Sequence, residues 1–208
     1  MRIDSVSARP DRAGKYRVHF SDGSSMGLYR QTVEDHGLYT GKELTEEEMT
    51  ALRRDAGKMS AKMRAVRIVA ASSVSVGDLQ HRLVAKGEKP EDAKQAVDWM
   101  CQLDLLDDRK TAEQLVSRCI SKGYGLARAK QALYEKRIPK HLWGEVLEDY
   151  PEQTDAVLEF LRNKLGGSWD QKDLRKATDA LIRKGHSYAV IRKALQQLGE
   201  DPDFQEDM

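Results

Sequence analysis

The chain has 208 residues, 39% hydrophobic and 33% charged, which suits a water-facing protein of one or two domains with a modest, distributed core and is leaner in apolar residues than a compact enzyme domain usually is. Lys plus Arg number 35 against 34 Asp plus Glu, a net charge of +1, so only the distribution of charge can point to a partner. No apolar run approaches the roughly 20 residues of a membrane span, and the N-terminus carries no apolar signal segment; no membrane association and a cytoplasmic location are expected.

The first thirty residues differ from everything after them. Tyr16, Val18 and Phe20 alternate with Lys15, Arg17 and His19, the period of a half-buried strand, and Ser21-Asp22-Gly23-Ser24 is turn chemistry before Met26 and Leu28 alternate again. With Ile3 and Val6 as an earlier strand, this predicts a three-stranded antiparallel meander, too small to stand without a helix against it. Thr45-Glu46-Glu47-Glu48 is a capping box that starts such a helix, ahead of Met49 and Leu52. Gly37 to Lys42 just before it has a phosphate-loop flavour, but three residues separate its glycines where four are needed and Glu43 follows the lysine, so nucleotide binding is not expected there.

Helices follow one another from there. Met59 to Ala71 reads as a helix with Met63, Val66, Ile68 and Val69 as its apolar members. Ser75 caps the next, which ends at Lys86-Gly87, and Pro90 opens a third with Ala93, Ala96, Val97 and Met100 inward. Leu103, Leu105 and Leu106 close that segment, and Asp107-Asp108 offers a cap to a new helix whose apolar stripe is Ala112, Leu115, Val116, Cys119 and Ile120. Gly123 supplies the left-handed residue that ends it, and Leu126, Ala129 and Leu133 form the inward stripe of its successor. Pro139 and Pro151 each open a further helix, Ser168 caps another, and Tyr188, Ile191, Leu195 and Leu198 complete the last before Gly199 and an acidic tail.

The pattern repeats. Arg183 to Leu195 (R-K-G-H-S-Y-A-V-I-R-K-A-L) lies over Ser121 to Leu133 (S-K-G-Y-G-L-A-R-A-K-Q-A-L), matching Lys-Gly, Ala127 with Ala189, Lys130 with Arg192 and Leu133 with Leu195; Ser75 to Leu83 matches the second helix of that pair. The expected fold is mainly α: three tandem three-helix repeats forming an elongated curved body, preceded by a small N-terminal antiparallel β-module. The expected divisions are 1–58 for the β-meander and its helix, 59–106, 107–150 and 151–199 for the repeats, and 200–208 for the tail.

Nothing in this plan assembles a catalytic centre. Cys101 and Cys119 fall on core positions as reduced thiols, the five histidines are scattered singly, and no metal-ligand spacing occurs, so neither an enzyme nor a cofactor is expected. Charge is uneven instead: from Lys122 to Lys193 there are fifteen Lys/Arg and ten Asp/Glu. Lys122, Arg128, Lys130, Lys136, Arg137, Lys140, Arg183, Lys184, Arg192 and Lys193 are the candidate contact residues for an acidic partner or DNA, set against the ordinary fate of such residues as a solvated helix face. Tyr124 and Trp143 are read as packing residues.

The run Leu105 to Val116 (L-L-D-D-x-x-x-A-E-x-x-V), the K-G-Y-G turn at Lys122 to Gly125 and the R-K-G-H-S-Y-A-V-I-R-K-A-L close resemble the RecX regulatory proteins over the whole chain. The chain departs from the family pattern at Asp104, Thr111 and Leu115, where the family favours Gly, Phe and Tyr. The resemblance implies a monomeric, non-catalytic regulator that lies in the groove of the RecA recombinase filament on DNA and restrains it, in recombination, DNA repair and the SOS response. Two other readings stand beside it: a DNA-binding helical repeat, for which the helix pair around Lys122 to Gly125 resembles a helix-turn-helix, and a helical scaffold for peptides.

Overall fold

The computed structural model describes residues 1–166 and 170–199 and divides into two units, Met1–Leu106 and the chain from Asp107 onward. The alternation at the N-terminus produces β1 (Ile3–Val6), β2 (Lys15–Phe20) and β3 (Ser25–Tyr29), antiparallel in the order β1-β2-β3, with Val18 opposite Met26 and Tyr16 opposite Leu28. One face of this sheet carries Ile3, Val18, Phe20 and Leu28 into a core completed by Leu38, Leu44, Met49 and Leu52. A short helix that the sequence reading did not anticipate, α1 (Arg30–Asp35), follows β3 directly.

Thr45 forms the capping box in full: its hydroxyl accepts from the Glu48 amide at 3.1 Å, and the Glu48 carboxylate accepts from the Thr45 amide at 2.8 Å. The helix it starts, α2 (Glu46–Ala71), runs unbroken for 26 residues. Two separate helices, one capped at Thr45 and one opening at Met59, had been expected, so the division at 58/59 falls inside a single helix. The reason is packing at both ends. Met49, Leu52 and Ala56 belong to the sheet core, while Ala61 and Ala65 belong to a second core with α3 (Val76–Ala85) and α4 (Pro90–Gln102). Gly57 does not break the helix; the Asp92 carboxylate lies 2.6 Å from where its β-carbon would stand, so glycine is what lets the first turn of α4 approach. The same closeness explains why Ala61, Ala65, Ala93 and Ala96 are fully buried while the larger apolar members Met63 and Val66 are 36% and 37% exposed. Ser75 caps α3 by accepting from the Asp78 amide at 3.0 Å. Of Leu103, Leu105 and Leu106, which follow α4, Leu106 alone is buried.

The second unit begins with Asp107, whose carboxylate accepts from the Lys110 amide at 2.9 Å and caps α5 (Asp108–Ser121). Then come α6 (Leu126–Glu135), a 3-10 turn (Lys140–Leu142), α7 (Trp143–Leu147), α8 (Thr154–Leu165), α9 (Gln171–Arg183) and α10 (Tyr188–Gln197). Ala112, Val116, Leu133 and Ile138 make one core with α7, and Val157, Leu161, Leu165, Ala177, Leu181, Ile191, Ala194 and Leu195 make another from α8, α9 and α10. A leucine buried as Leu133 is, at 0% exposure, contributes about 1.5–3 kcal/mol.

Three local expectations are corrected here. Pro139 precedes a 3-10 turn instead of opening an α-helix, and Pro151 lies three residues before α8. Leu126, assigned to the inward stripe of α6, is 41% exposed because it is the first helical residue, outside the turn that Ala129 and Leu133 bury. Ser168 and the tail at 200–208 lie outside the described residues, and Asp170 stands at the start of α9. Cys119 is buried and Cys101 half-buried, both as thiols.

Candidate functional site

The two helix pairs matched by the internal repeat, α5–α6 and α9–α10, are joined by turns of the same construction. Gly123 (φ +62°) and Gly185 (φ +89°) take the left-handed conformation that ends a helix. The next amides close back over the helix end alike, Tyr124 to the Cys119 carbonyl at 3.0 Å and His186 to the Leu181 carbonyl at 3.1 Å. They differ one residue later. Ser187 caps α10 through its hydroxyl, whereas Gly125 has no side chain to cap α6.

The deficit at Gly125 is met by the other turn. The Gly125 amide donates to the Lys184 carbonyl at 3.0 Å and the Ala127 amide to the Gly185 carbonyl at 3.2 Å, so the unpaired amides that begin α6 are satisfied by backbone from the α9–α10 turn. Around this contact, His186 is buried and its ring is hydrogen-bonded to the backbone of Gly123; burial holds its pKa below the usual imidazole value. The Tyr150 hydroxyl donates to the Tyr124 carbonyl at 2.6 Å, and burial, with Cys119 beside it, pushes that phenol up to about 12. Burial likewise raises the Cys119 thiol. Tyr124 is therefore a junction residue. In the helix pair that resembles a helix-turn-helix, the first amides of α6 are bonded to the α9–α10 turn.

The basic candidates separate by what they already hold. Arg128 pairs with Glu135 at 3.2 Å, Lys193 with Glu152 at 2.5 Å, and the Lys184 ammonium lies 4.3 Å from the centre of the Phe160 ring. Lys136 is half-buried at the C-cap of α6. Lys122, Lys130, Arg137, Lys140, Arg183 and Arg192 are exposed, and none of them forms an ion pair among the described residues. Of the ten, Arg137 and Lys140 line a single cleft with Tyr134 and Trp143.

Exposed apolar residues complete the picture and were missed in the sequence. On α6, Leu126, Lys130 and Tyr134 follow at four-residue steps and therefore share one face, with Leu126 41% and Tyr134 71% exposed. On α10 the equivalent positions hold Tyr188, 62% exposed, and Arg192. An apolar residue one turn before a cation thus recurs on the outer face of both helices. The i, i+4 spacing carried this signal, but Leu126 had been counted inward.

Among the described residues there is no group of three or more His, Cys, Asp or Glu placed to hold a metal ion, and no helix is long and apolar enough to cross a membrane.

No protein-family model matches the chain. It is 26% identical over 152 residues to "Regulatory protein RecX" of Vibrio parahaemolyticus, covering 72% of this chain and 98% of that one. It is 23% identical over 203 residues to the protein of the same name from Clostridioides difficile, covering 95% and 94%. Among solved structures it superposes on a regulatory protein RecX with a TM-score of 0.61 at 18% identity, over 92% of this chain and 98% of that one. A RecX from Lactobacillus salivarius gives 0.57 at 19% identity, over 69% and 97%.

Proposed function

We propose that this chain, which belongs with the RecX regulatory proteins, regulates the RecA recombinase by binding its filament on DNA and restraining its activity, as a cytoplasmic monomer. The regulatory role rests on relatives named for it that span nearly the whole chain; the filament as target is what the sequence resemblance implies. The observation that carries the reading is the surface repeated on α6 and α10, with Leu126 and Lys130 on one and Tyr188 and Arg192 on the other. A nucleoprotein filament presents the same protomer surface again and again and is strongly anionic. A chain that repeats an apolar contact beside a cation gains by engaging two such places at once, since the second contact is then intramolecular.

The test is DNA-dependent ATP hydrolysis by the matching recombinase, measured with and without this protein. Hydrolysis that falls with added protein, and less so at raised salt, supports the reading. Hydrolysis that stays unchanged, with no co-sedimentation of the protein with filaments, refutes it.

A further inference from the structure

The C-terminal end of α6 turns into the 3-10 segment through Arg137, Ile138 and Pro139, and an open cleft forms there between Tyr134, Glu135, Arg137, Ile138, Lys140 and Trp143. Three features of it are unusual. The first is the backbone of Arg137, at φ +53°. The corresponding helix ends of α3, α5 and α9 carry glycine at positive φ, at Gly87, Gly123 and Gly185, because this region disfavours any β-carbon. An arginine here holds a conformation that glycine would adopt more readily, and it lines the cleft.

The second feature is the pair of rings. Trp143 spends its indole N–H on the Ile138 carbonyl at 3.0 Å and packs on the core of Ala112, Val116 and Leu133, so it is a fixed wall. Tyr134 is 71% exposed and makes no hydrogen bond through its hydroxyl among the described residues, leaving a ring face to solvent. The third is the charge. Glu135 is held by Arg128 at 3.2 Å and accepts from the Gln131 side chain at 2.9 Å, so its carboxylate is engaged along α6. Arg137 and Lys140 have no such carboxylate partner among the described residues.

A rigid aromatic wall, an exposed ring and two cations among the lining residues match a planar base joined to a phosphodiester. We propose that this cleft binds a nucleotide of single-stranded nucleic acid, the base stacking on Tyr134 and the adjoining phosphates meeting Arg137 and Lys140. Duplex does not satisfy the cleft, since its bases already stack on each other, and an acidic peptide would meet the cations but leave the rings unused. The inference is independent of the recombinase reading and is tested without any recombinase.

The experiment is fluorescence anisotropy of labelled oligo(dT) of about ten nucleotides, titrated with the full chain and competed with duplex of equal length or with poly-glutamate. Tyr134→Ala and Arg137→Gly should each weaken binding on the order of ten-fold, Tyr134→Phe should retain it, and Lys140→Ala should weaken it and flatten the salt dependence. Arg137→Gly separates binding from folding, because its thermal midpoint should equal or exceed that of the wild type while its affinity falls. The proposal is overturned if the wild type fails to bind the oligonucleotide, if Tyr134→Ala and Arg137→Gly bind as the wild type does, or if duplex competes as well as the single strand. Poly-glutamate competing equally would overturn it too, and would mark an acidic-peptide site.

Discussion

Gly125 and Gly185 lie backbone to backbone: a β-carbon on Gly125 would stand 2.0 Å from the Gly185 carbonyl oxygen, and one on Gly185 would stand 2.3 Å from the Arg128 amide nitrogen. These are the two turns that the internal repeat identifies as equivalents, and they meet in space. At the position of Gly125 the α9–α10 turn has Ser187, a better capping residue. Glycine replaces it at 125 because the carbonyl of the other turn occupies the space a side chain would need.

Gly125→Ser therefore sets two rules against each other. Capping favours serine by a few tenths of a kcal/mol, while overpacking a closed contact costs about 1–3 kcal/mol. The clash wins, and the variant should unfold at a lower temperature than the wild type. A midpoint equal to or above that of the wild type would show that the turns separate readily.

Asp104 and Arg137 are the non-glycine residues at positive φ among those described, at +54° and +53°. Asp104 follows α4 at the place where RecX-like sequences favour glycine, and its backbone shows why. Asp104→Gly should stabilise the first unit by about 0.5–1 kcal/mol, the relief of left-handed strain less the added freedom of the unfolded chain. Chemical denaturation checks this, and a loss of stability would mean that the Asp104 side chain makes a contact of its own.

What the sequence made legible was punctuation. The capping box at Thr45, the caps at Ser75 and Asp107, the end at Lys86-Gly87 and the turn at Gly123 are local features, each settled by a few neighbouring residues, and each is present. What was illegible depended on distant parts of the chain. The glycine at 57 is set by Asp92, and the glycine at 125 by a turn sixty residues on. The basic candidates were legible as a list, but Arg128 and Lys193 could not be separated from Lys130 and Arg192 until Glu135 and Glu152 were seen beside them.

The cap at Asp107 gives a sharper test of local reasoning. Asp107→Ala should cost on the order of 1 kcal/mol and Asp107→Asn very little, since the amide oxygen accepts from Lys110 as the carboxylate does. Equal losses for the two, measured by denaturant titration, would assign the stabilisation to charge at the helix end instead of to the hydrogen bond.

His186 predicts a pH dependence of the second unit. Burial is the largest influence on it and lowers its pKa below 6.5, the Lys184 charge acts in the same direction, and the bond to Gly123 opposes them. Between the folded and unfolded values the unfolded chain binds more protons, so stability is full above about pH 6.5 and declines as the pH falls below it, until the folded state also protonates. Thermal midpoints of the wild type should drop on acidification from pH 7 to about 5.5, and His186→Gln should flatten that part of the profile. Parallel profiles for the two proteins would place the acid sensitivity elsewhere.

The proposed contact surface is tested by charge reversal at Lys130 and Arg192. Reversing Arg128 or Lys193 as well would confound the result, because glutamate there would face Glu135 or Glu152 and disturb α6, or the junction of α8 with α10. Lys130 and Arg192 are exposed, occupy equivalent positions of the repeat and pair with no carboxylate among the described residues, so their reversal should leave the thermal midpoint nearly unchanged. If they contact the recombinase filament, Lys130→Glu with Arg192→Glu should abolish the restraint of ATP hydrolysis, and each single reversal should weaken it in part, as expected when two linked contacts share the binding. Raising the salt should weaken the wild type in the same direction, because screening shortens the reach of exposed charges to about 8 Å at physiological ionic strength. A folded double variant that restrains the recombinase at the wild-type concentration would move the contact away from α6 and α10 and sink the assignment.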